Sequence, residues 1–233
     1  MSERVSVFEG KTPVIIIAPH CPESTNTNFI AEQMISSLGC YGVINRGWRK
    51  SDTFNYDEEE ADCNNIDHIH NDVIKNEFLI PILRFHQRIR KSHSEAHIFI
   101  IRGVKSEAKH ESGDPFLDII LGYGAGKPPA YSFGLLKKDF YVDYIEKGGL
   151  IVYEGKPRSN HSARSKLSLN QLFNISFWYQ DKITNSMQIE VINDLREDEE
   201  ISRITGEFLA DGVKSLLNMK NWNRPINKKQ KLI

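Results

Sequence analysis

A short run of β-branched residues near the N-terminus constrains the fold more than any other feature of the sequence. Val14 to Ile17 are four consecutive β-branched apolar residues, which is typical of a strand that other elements cover on both faces. A proline-punctuated turn follows over Pro19 to Glu23, and apolar residues at helical spacing follow the turn. The chain therefore opens with a strand-loop-helix unit, which is typical of an α/β fold.

The turn carries two side chains that bind metal ions in many proteins, His20 and Glu23. An imidazole nitrogen and a carboxylate oxygen both suit zinc, and a spacing of three residues lets one turn deliver both. The carboxyl end of a strand is also where open α/β sheets bind ligands. The pair is equally compatible with an ordinary turn, in which His20 bonds a backbone carbonyl and Glu23 faces water.

Strands and helices are expected along most of the chain. Apolar residues at helical spacing predict helices over 28–38, 72–91, 135–147, 169–179 and 198–219. Pro81 conflicts with the second of these helices and predicts a kink or a break. Apolar runs predict further strands over 40–45, 96–104, 116–121, 150–153 and 187–192. No linker divides the chain, so we expect residues 1–233 to form one α/β domain with a central mixed, mostly parallel sheet flanked by helices.

Charge and composition argue against several partner classes. The formal net charge is −1 and the pI is about 6.7, so no overall field favours nucleic acid or a membrane surface. The sequence contains no apolar run of membrane-spanning length and starts without the apolar core of a signal peptide. Three cysteines without framework spacing fit a reducing compartment. We therefore expect a cytoplasmic protein with a small-molecule ligand; the sequence carries no signal for an oligomeric state.

Arginines stand at two predicted strand ends. Arg46 and Arg49 follow the strand over 40–45, and Arg102 precedes Gly103 at the end of the strand over 96–104. Guanidinium groups suit bidentate binding of carboxylates, although Arg46 and Arg49 are also compatible with simple solvated arginines. A charged residue such as Arg102 at the end of a central strand is unusual unless it has a partner or a function.

The segment over 155–168 is polar and basic and includes Arg164. It fits a substrate-binding loop, and a solvated loop without function would have the same composition. The glycine-rich run that begins at Gly122 lacks the spacing of a phosphate-binding loop, since Leu121 and Pro128 stand where that motif requires Gly and Ser or Thr.

One carboxylate, that of Glu190, and one thiol, that of Cys21, remain as candidates for catalysis. On the last predicted strand, Gln188 and Glu190 should point to one face, opposite to Met187 and Ile189. Glu190 is therefore either solvent-facing or a catalytic carboxylate in a cleft. Cys21 is a weaker candidate for a nucleophile, because adjacent residues on an extended segment point apart and its neighbour His20 would face away.

In their order along the chain, these motifs form a recognisable set. They are Pro19-His20-x-x-Glu23, Asn45-Arg46-Gly-Trp-Arg49, Asp62-Cys-Asn64, a strand that ends before Gly103, Asp118-Ile-Ile-Leu-Gly122, and Gln188-Ile-Glu190 followed by Leu195-Arg196. The set resembles the N-formylglutamate amidohydrolase family, which is related to the zinc carboxypeptidases, and it spans about Pro13 to Arg196.

The resemblance implies a phosphorylase/hydrolase-like α/β fold and a hydrolytic zinc site. It implies that His20 and Glu23 bind zinc and that Glu190 is the general base for a zinc-bound water. Zinc lowers the pKa of its water to near neutral, and a carboxylate within hydrogen-bond reach can then take the proton. By the same resemblance, Arg46 and Arg49 would bind the carboxylates of a substrate.

The chain departs from the family pattern at two positions. Asn64 matches the asparagine of an Asp-x-Asn-Arg motif, but Asn65 stands where the arginine should follow. Arg102 stands where the family has its third zinc ligand, a histidine before Gly103. A guanidinium is always charged and has no lone pair to give a metal, so it cannot ligate zinc.

Two interpretations of Arg102 follow. In the first, another histidine completes the zinc site, with His110 as the nearest candidate and His161 as the next. In the second, zinc binding is weak or absent and Arg102 forms a salt bridge with Glu23 or Glu190.

The expected function is a metal-dependent hydrolase that cleaves an amide or N-acyl bond of an acidic amino-acid derivative such as N-formylglutamate. Arg46, Arg49, Asn64, Arg102 and Arg164 are the residues expected to bind substrate. The alternative is a non-catalytic relative that binds a carboxylate ligand and has a degenerate metal site.

Overall fold

A single mixed sheet forms the centre of the molecule. The computed structural model describes residues 4–49, 62–69, 72–105, 116–124, 132–156, 160–165, 167–173 and 184–218. Seven strands are found there, β1 (Val5–Phe8), β2 (Val14–Ala18), β3 (Tyr41–Asn45), β4 (Ala96–Gly103), β5 (Ile119–Gly122), β6 (Val152–Glu154) and β7 (Thr184–Val191). Their order in the sheet is β1-β3-β2-β4-β7-β5-β6.

Four of the six strand pairings in the sheet are parallel. The antiparallel ones are β1 with β3 and β5 with β7. The prediction of a central mixed, mostly parallel sheet is therefore confirmed.

Helices cover both faces of the sheet. They are α1 (Thr27–Leu38), α2 (Ile80–Ser92), α3 (Leu135–Lys147) and α4 (Glu199–Leu217). Apolar residues of α1, α3 and α4 pack on one face together with Ile16 of β2, and those of α2 pack on the other together with Ile15. Consecutive residues of β2 thus enter different cores, which explains why this strand is apolar at every position. No helix within the described ranges is long and apolar enough to cross a membrane.

Pro81 lies in the first turn of α2, directly after another helical segment, and proline has no N–H with which to make an intrahelical hydrogen bond. It is preceded by one α-helical turn (Asp72–Ile74) and a π-helical segment (Lys75–Leu79). In place of the predicted kink or break, the helical backbone continues through the π-helical segment, which is a local widening of the helix.

Three elements differ from the sequence-based expectations. The predicted strand over 116–121 begins at Ile119, and Phe116 lies in a turn with 71% of its surface exposed, so the apolar pattern extends beyond the strand itself. The predicted helix over 169–179 is a 3-10 turn over Leu169–Gln171, and residues 174–179 lie outside the described part. β1 was not predicted, because a short strand at a sheet edge has little apolar pattern.

Candidate functional site

The ends of three parallel strands bring the candidate residues together. In the central part of the sheet, Ile17 of β2 pairs with Ile100 of β4, and Ile100 pairs with Gln188 of β7. Two residues further along, Arg102 pairs with Glu190. Three features therefore line the same edge of the sheet, at the carboxyl ends of these strands. They are the turn that follows β2, the side chain of Arg102 and the side chain of Glu190.

The alternation of side chains decides which face of the sheet the site occupies. Ile100 belongs to the core under α2, so Arg102, two residues on, points to that same face. On β7, Met187 and Ile189 pack in the opposite core, whereas the side chains of Gln188 and Glu190 contact each other. The predicted orientation of Gln188 and Glu190 is confirmed. Only 2% of the surface of Glu190 is exposed, so this carboxylate is not solvent-facing.

Three side chains donate hydrogen bonds to the buried carboxylate of Glu190. Arg102 Nη1 lies 3.2 Å from Glu190 Oε1, and Gln188 Nε2 donates to the same oxygen. His161 Nδ1 lies 2.6 Å from Glu190 Oε2. A buried carboxylate is strongly unfavourable without such partners, so this network is what keeps Glu190 in the interior. Of the two interpretations of Arg102, its pairing with Glu190 is observed.

Arg102 uses only one edge of its guanidinium in this network. Nη1 faces Glu190, whereas Nε is buried and has no hydrogen-bond partner among the described residues. The side chain keeps 25% of its surface exposed, so the guanidinium lies at the border between the network and solvent. Gln188 also leaves one buried atom unpaired, its carbonyl oxygen Oε1.

His161 reaches Glu190 because its segment lies directly against the end of β5. Gly124 N–H donates to the carbonyl of Ser162 over 2.8 Å, which ties the two segments together. At Gly122, an added Cβ would lie 2.5 Å from the carbonyl oxygen of His161, so the approach requires a glycine there. The sequence predicts His161 only as a possible metal ligand and carries no signal of its contact with Glu190, since 29 residues separate the two.

The second part of the site is formed by His20. Its Nε2 lies 2.6 Å from Asp62 Oδ1, which also accepts a hydrogen bond from the backbone N–H of Asn64. The turn that holds His20 is fixed from β3, because Asn45 Nδ2 donates to the carbonyl of Pro19 over 2.7 Å. Glu23 closes the turn with its N–H bonded to the His20 carbonyl, and its side chain is exposed.

These residues do not by themselves fit a zinc ion. In many metal sites, a histidine ligand bonds a carboxylate through one ring nitrogen, as His20 bonds Asp62, and binds the metal through the other. However, no group of three or more His, Cys, Asp or Glu side chains within the described ranges is arranged to hold a metal ion. Arg102 occupies the end of β4, and His110, the ligand expected in its place, lies outside the described residues.

The remaining predicted substrate residues are spread over a wider area. Arg46 is exposed and bonds Glu32 of α1 and Ser6 of β1, each over 2.5 Å, so its guanidinium is engaged away from the network of Glu190. Arg49 and Arg164 are exposed. Asn64 has a buried side-chain oxygen without a hydrogen-bond partner.

Cys21 is poorly suited to nucleophilic catalysis. Burial raises the pKa of its thiol to about 12, and its Sγ lies 3.8 Å from the carbonyl oxygen of Ala18. Because the thiolate is the reactive form of cysteine, a thiol with so high a pKa is inert near neutral pH.

Solved structures of hydrolases share this fold. An N-formylglutamate amidohydrolase from Ralstonia eutropha JMP134 is similar with a TM-score of 0.53 and 10% identity, over 91% of this chain and 99% of that one. A gene product of Agrobacterium tumefaciens reaches 0.58 at 14% identity, over 93% and 95% of the two chains. A metallo-carboxypeptidase from Burkholderia cenocepacia reaches 0.54 at 12% identity, over 93% of this chain and 66% of that one.

This chain has the fold of those proteins. At such low identity the likeness extends to the fold alone, and it agrees with the hydrolase-like α/β architecture that the sequence motifs predict. No protein-family model matches the sequence, and no curated protein sequence matches it at a significant level.

Proposed function

We propose that this chain hydrolyses an amide or N-acyl bond of a small acidic amino-acid derivative of the N-formylglutamate kind. The observation that carries the proposal is the buried pair of Glu190 and His161 at the carboxyl edge of the sheet, 2.6 Å apart. The fold that the chain shares with an N-formylglutamate amidohydrolase supports the same class of reaction.

The pair supplies a proton acceptor for an attacking water. Imidazole titrates near neutral pH, so His161 can take a proton from water and later return it. With its Nδ1 proton donated to Glu190, the lone pair of the neutral ring is on Nε2. Glu190 orients the ring and stabilises its charged form, as the carboxylate does in a catalytic triad. This assigns Glu190, the expected general base, a positioning role beside His161.

The reaction balances with water as the sole co-reactant. The water oxygen bonds to the carbonyl carbon while its proton passes to His161. The carbon–nitrogen bond then breaks, and His161 returns the proton to the departing nitrogen. The products are a carboxylic acid and an amine.

Zinc bound by His20 and Glu23, as the resemblance implies, with His110 as the candidate third ligand, stays a prediction. Because the described residues do not fit the ion, the proton transfer is assigned to residues of the chain alone. Metal analysis of protein purified without chelator tests the prediction directly, and about one zinc per chain would support it.

Amine release from N-formyl-L-glutamate and N-acetyl-L-glutamate tests the activity itself. We expect Glu190→Gln and His161→Gln each to lower kcat by about 100-fold or more, the range typical of acid–base groups. Arg88→Gln is the matched control, because Arg88 is exposed on α2 and pairs with Glu9, which follows the edge strand β1. If the wild type hydrolyses these substrates and both variants retain that activity, the assigned roles are refuted.

A non-catalytic relative that binds a carboxylate ligand is the second candidate. The observation in its favour is that both oxygens of Glu190 already accept hydrogen bonds from side chains of the chain. In that case the network would be purely structural, and acidic ligands would bind to the wild type without being turned over.

A further inference from the structure

We infer that the unused edge of the Arg102 guanidinium binds a carboxylate group of the ligand, without a metal ion. The inference deepens the proposed function, on whose site it rests, because it names the group of the substrate that is recognised and the residue that recognises it. It also gives a role to the substitution that separates this chain from the family pattern.

The first argument is the geometry of hydrogen-bond donors. A guanidinium has five N–H donors, and its Nε and Nη2 together form the fork that fits the two oxygens of a carboxylate. Glu190 occupies Nη1 of Arg102, so the fork formed by Nε and Nη2 remains for a ligand. The Nε atom is buried and unpaired, which is unfavourable unless a ligand supplies the missing acceptor.

The second argument is that the guanidinium is held in advance of binding. Glu190 fixes Arg102 from one side, and Glu190 is itself held by His161 and Gln188. A donor group that is already positioned loses little conformational entropy when a ligand binds. A quarter of the Arg102 side chain remains exposed, so a ligand can approach the guanidinium from solvent; the buried Nε is reached only when the ligand displaces the atoms that cover it.

The third argument concerns the metal. A cation at the end of β4 would lie beside the permanent positive charge of the Arg102 guanidinium. Neighbouring like charges repel strongly in a partly buried site. The same charge attracts an anion. With arginine at position 102, the end of β4 therefore favours binding of a carboxylate, whereas a histidine at that position would favour binding of zinc.

Binding of glutarate tests the inference separately from catalysis. Glutarate carries two carboxylates and no amide bond, so it cannot be hydrolysed. Isothermal titration calorimetry would compare glutarate with its neutral diamide, glutaramide, on wild-type protein that has been dialysed against a chelator. We expect glutarate to bind this metal-free protein and glutaramide to bind at least 10-fold more weakly.

The variant Arg102→Lys keeps the charge beside Glu190 but lacks the fork, and we expect it to bind glutarate at least 10-fold more weakly than the wild type. Arg88→Lys is the matched control, with unchanged affinity expected. If Arg102→Lys does not fold, the double variant Arg102→Gln, Glu190→Gln removes both charges together and is expected to lose glutarate binding as well.

Three results would overturn the inference: equal affinity of Arg102→Lys and wild type, binding that requires added zinc, or no binding by the wild type at about 10 mM glutarate, a range that corresponds to millimolar affinity. Failure of the proposed function is a different outcome. Binding of glutarate that depends on Arg102, without hydrolysis of any acylated glutamate, would support the inference and refute the activity.

Discussion

Arg102 and Glu190 are directly opposite each other on neighbouring parallel strands, with Nη1 of the arginine 3.2 Å from Oε1 of the glutamate. The two charges therefore compensate each other at the end of the sheet where the turn with His20 also lies. Removing either partner would leave a buried or half-buried charge unpaired, which destabilises proteins much more than losing an exposed ion pair.

Zinc binding by the variant Arg102→His is the first prediction. The substitution removes the positive charge and adds an imidazole on the strand next to His20 and Glu23. We expect the variant to retain about one zinc per chain after dialysis, the stoichiometry of a His and carboxylate zinc site, and the wild type to retain much less. Elemental analysis of the dialysed proteins measures the difference.

The control for this experiment is Arg88→His, which makes the same change on an exposed part of α2. Its zinc content should equal that of the wild type. If Arg102→His and the wild type hold the same amount of zinc, Arg102 is not what separates this chain from a zinc protein.

Destabilisation by Gly103→Ala is the second prediction. A Cβ at this position would lie 2.6 Å from the guanidinium carbon of Arg196. That guanidinium cannot move away cheaply, because it donates to the carbonyl oxygens of Val191, Thr25 and Val104. We expect the free energy of unfolding to fall by about 1–3 kcal/mol, the usual effect of overpacking.

Urea denaturation measures this loss, and Gly134→Ala is its control. At Gly134 the nearest atom to an added Cβ is the side-chain oxygen of Asn185 at 3.4 Å, an ordinary contact. Similar stabilities for the two variants would show that the packing of Arg196 against Gly103 is not tight.

Much of the fold could be predicted from the sequence, because the information is local. Consecutive apolar residues indicate β2, and the alternation of Met187, Gln188, Ile189 and Glu190 gives the two faces of β7. The same alternation leaves Glu190 either solvent-facing or a catalytic carboxylate in a cleft, and it does not show which side chains contact the carboxylate.

The partners in the site could not be predicted, because they come from segments without periodicity. Asp62 contacts His20 across 42 residues and His161 contacts Glu190 across 29 residues. These contacts depend on the path that the irregular segments take, which no periodic pattern in the sequence predicts. Gly122 permits the close approach of the segment with His161 to β5, but the sequence pattern carries no sign of that approach.

Loss of stability in Asn45→Ala is the third prediction. Asn45 is fully buried, and its side chain donates to the carbonyl oxygens of Pro19 and Trp48 and accepts from the N–H of Trp48. Alanine would leave these backbone groups unsatisfied, so we expect a loss of about 1–3 kcal/mol in unfolding free energy. Urea denaturation measures it, with Asn218→Ala at the exposed end of α4 as the control. A loss no larger than that of the control would mean that water replaces the side chain.

Acid sensitivity centred on His97 is the fourth prediction. His97 lies on β4 with 5% of its surface exposed, its Nε2 is 3.5 Å from a carboxylate oxygen of Glu95, and its Nδ1 is buried without a partner. Burial lowers the pKa of His97 below the ordinary value, and Lys137 opposes protonation further, although Glu95 acts in the other direction. The hydrogen bond from His97 is in turn the largest cause that lowers the pKa of Glu95 to about 2.

The sign of the effect follows from where protons bind. Below the ordinary histidine pKa of about 6.5, the unfolded chain protonates His97 while the folded protein resists it, so the unfolded state binds more protons. The stability contributed by neutral His97 is therefore complete above about pH 6.5 and is lost as the pH falls towards the lower, folded-state pKa. In that window the unfolding free energy should fall by up to about 1.4 kcal/mol per pH unit.

Urea denaturation between pH 8 and pH 5 measures this slope, a range chosen to bracket the titration of histidine at about 6.5. The variant His97→Gln should flatten it, because glutamine fills a similar polar position and does not titrate. His93→Gln, at the half-buried end of α2, is the matched control and should keep the wild-type slope. If His97→Gln is as acid-sensitive as the wild type, the titrating group is another one. Glu95 would not be that group, since its own contribution is complete above about pH 4.5 and is lost only as the pH falls towards 2.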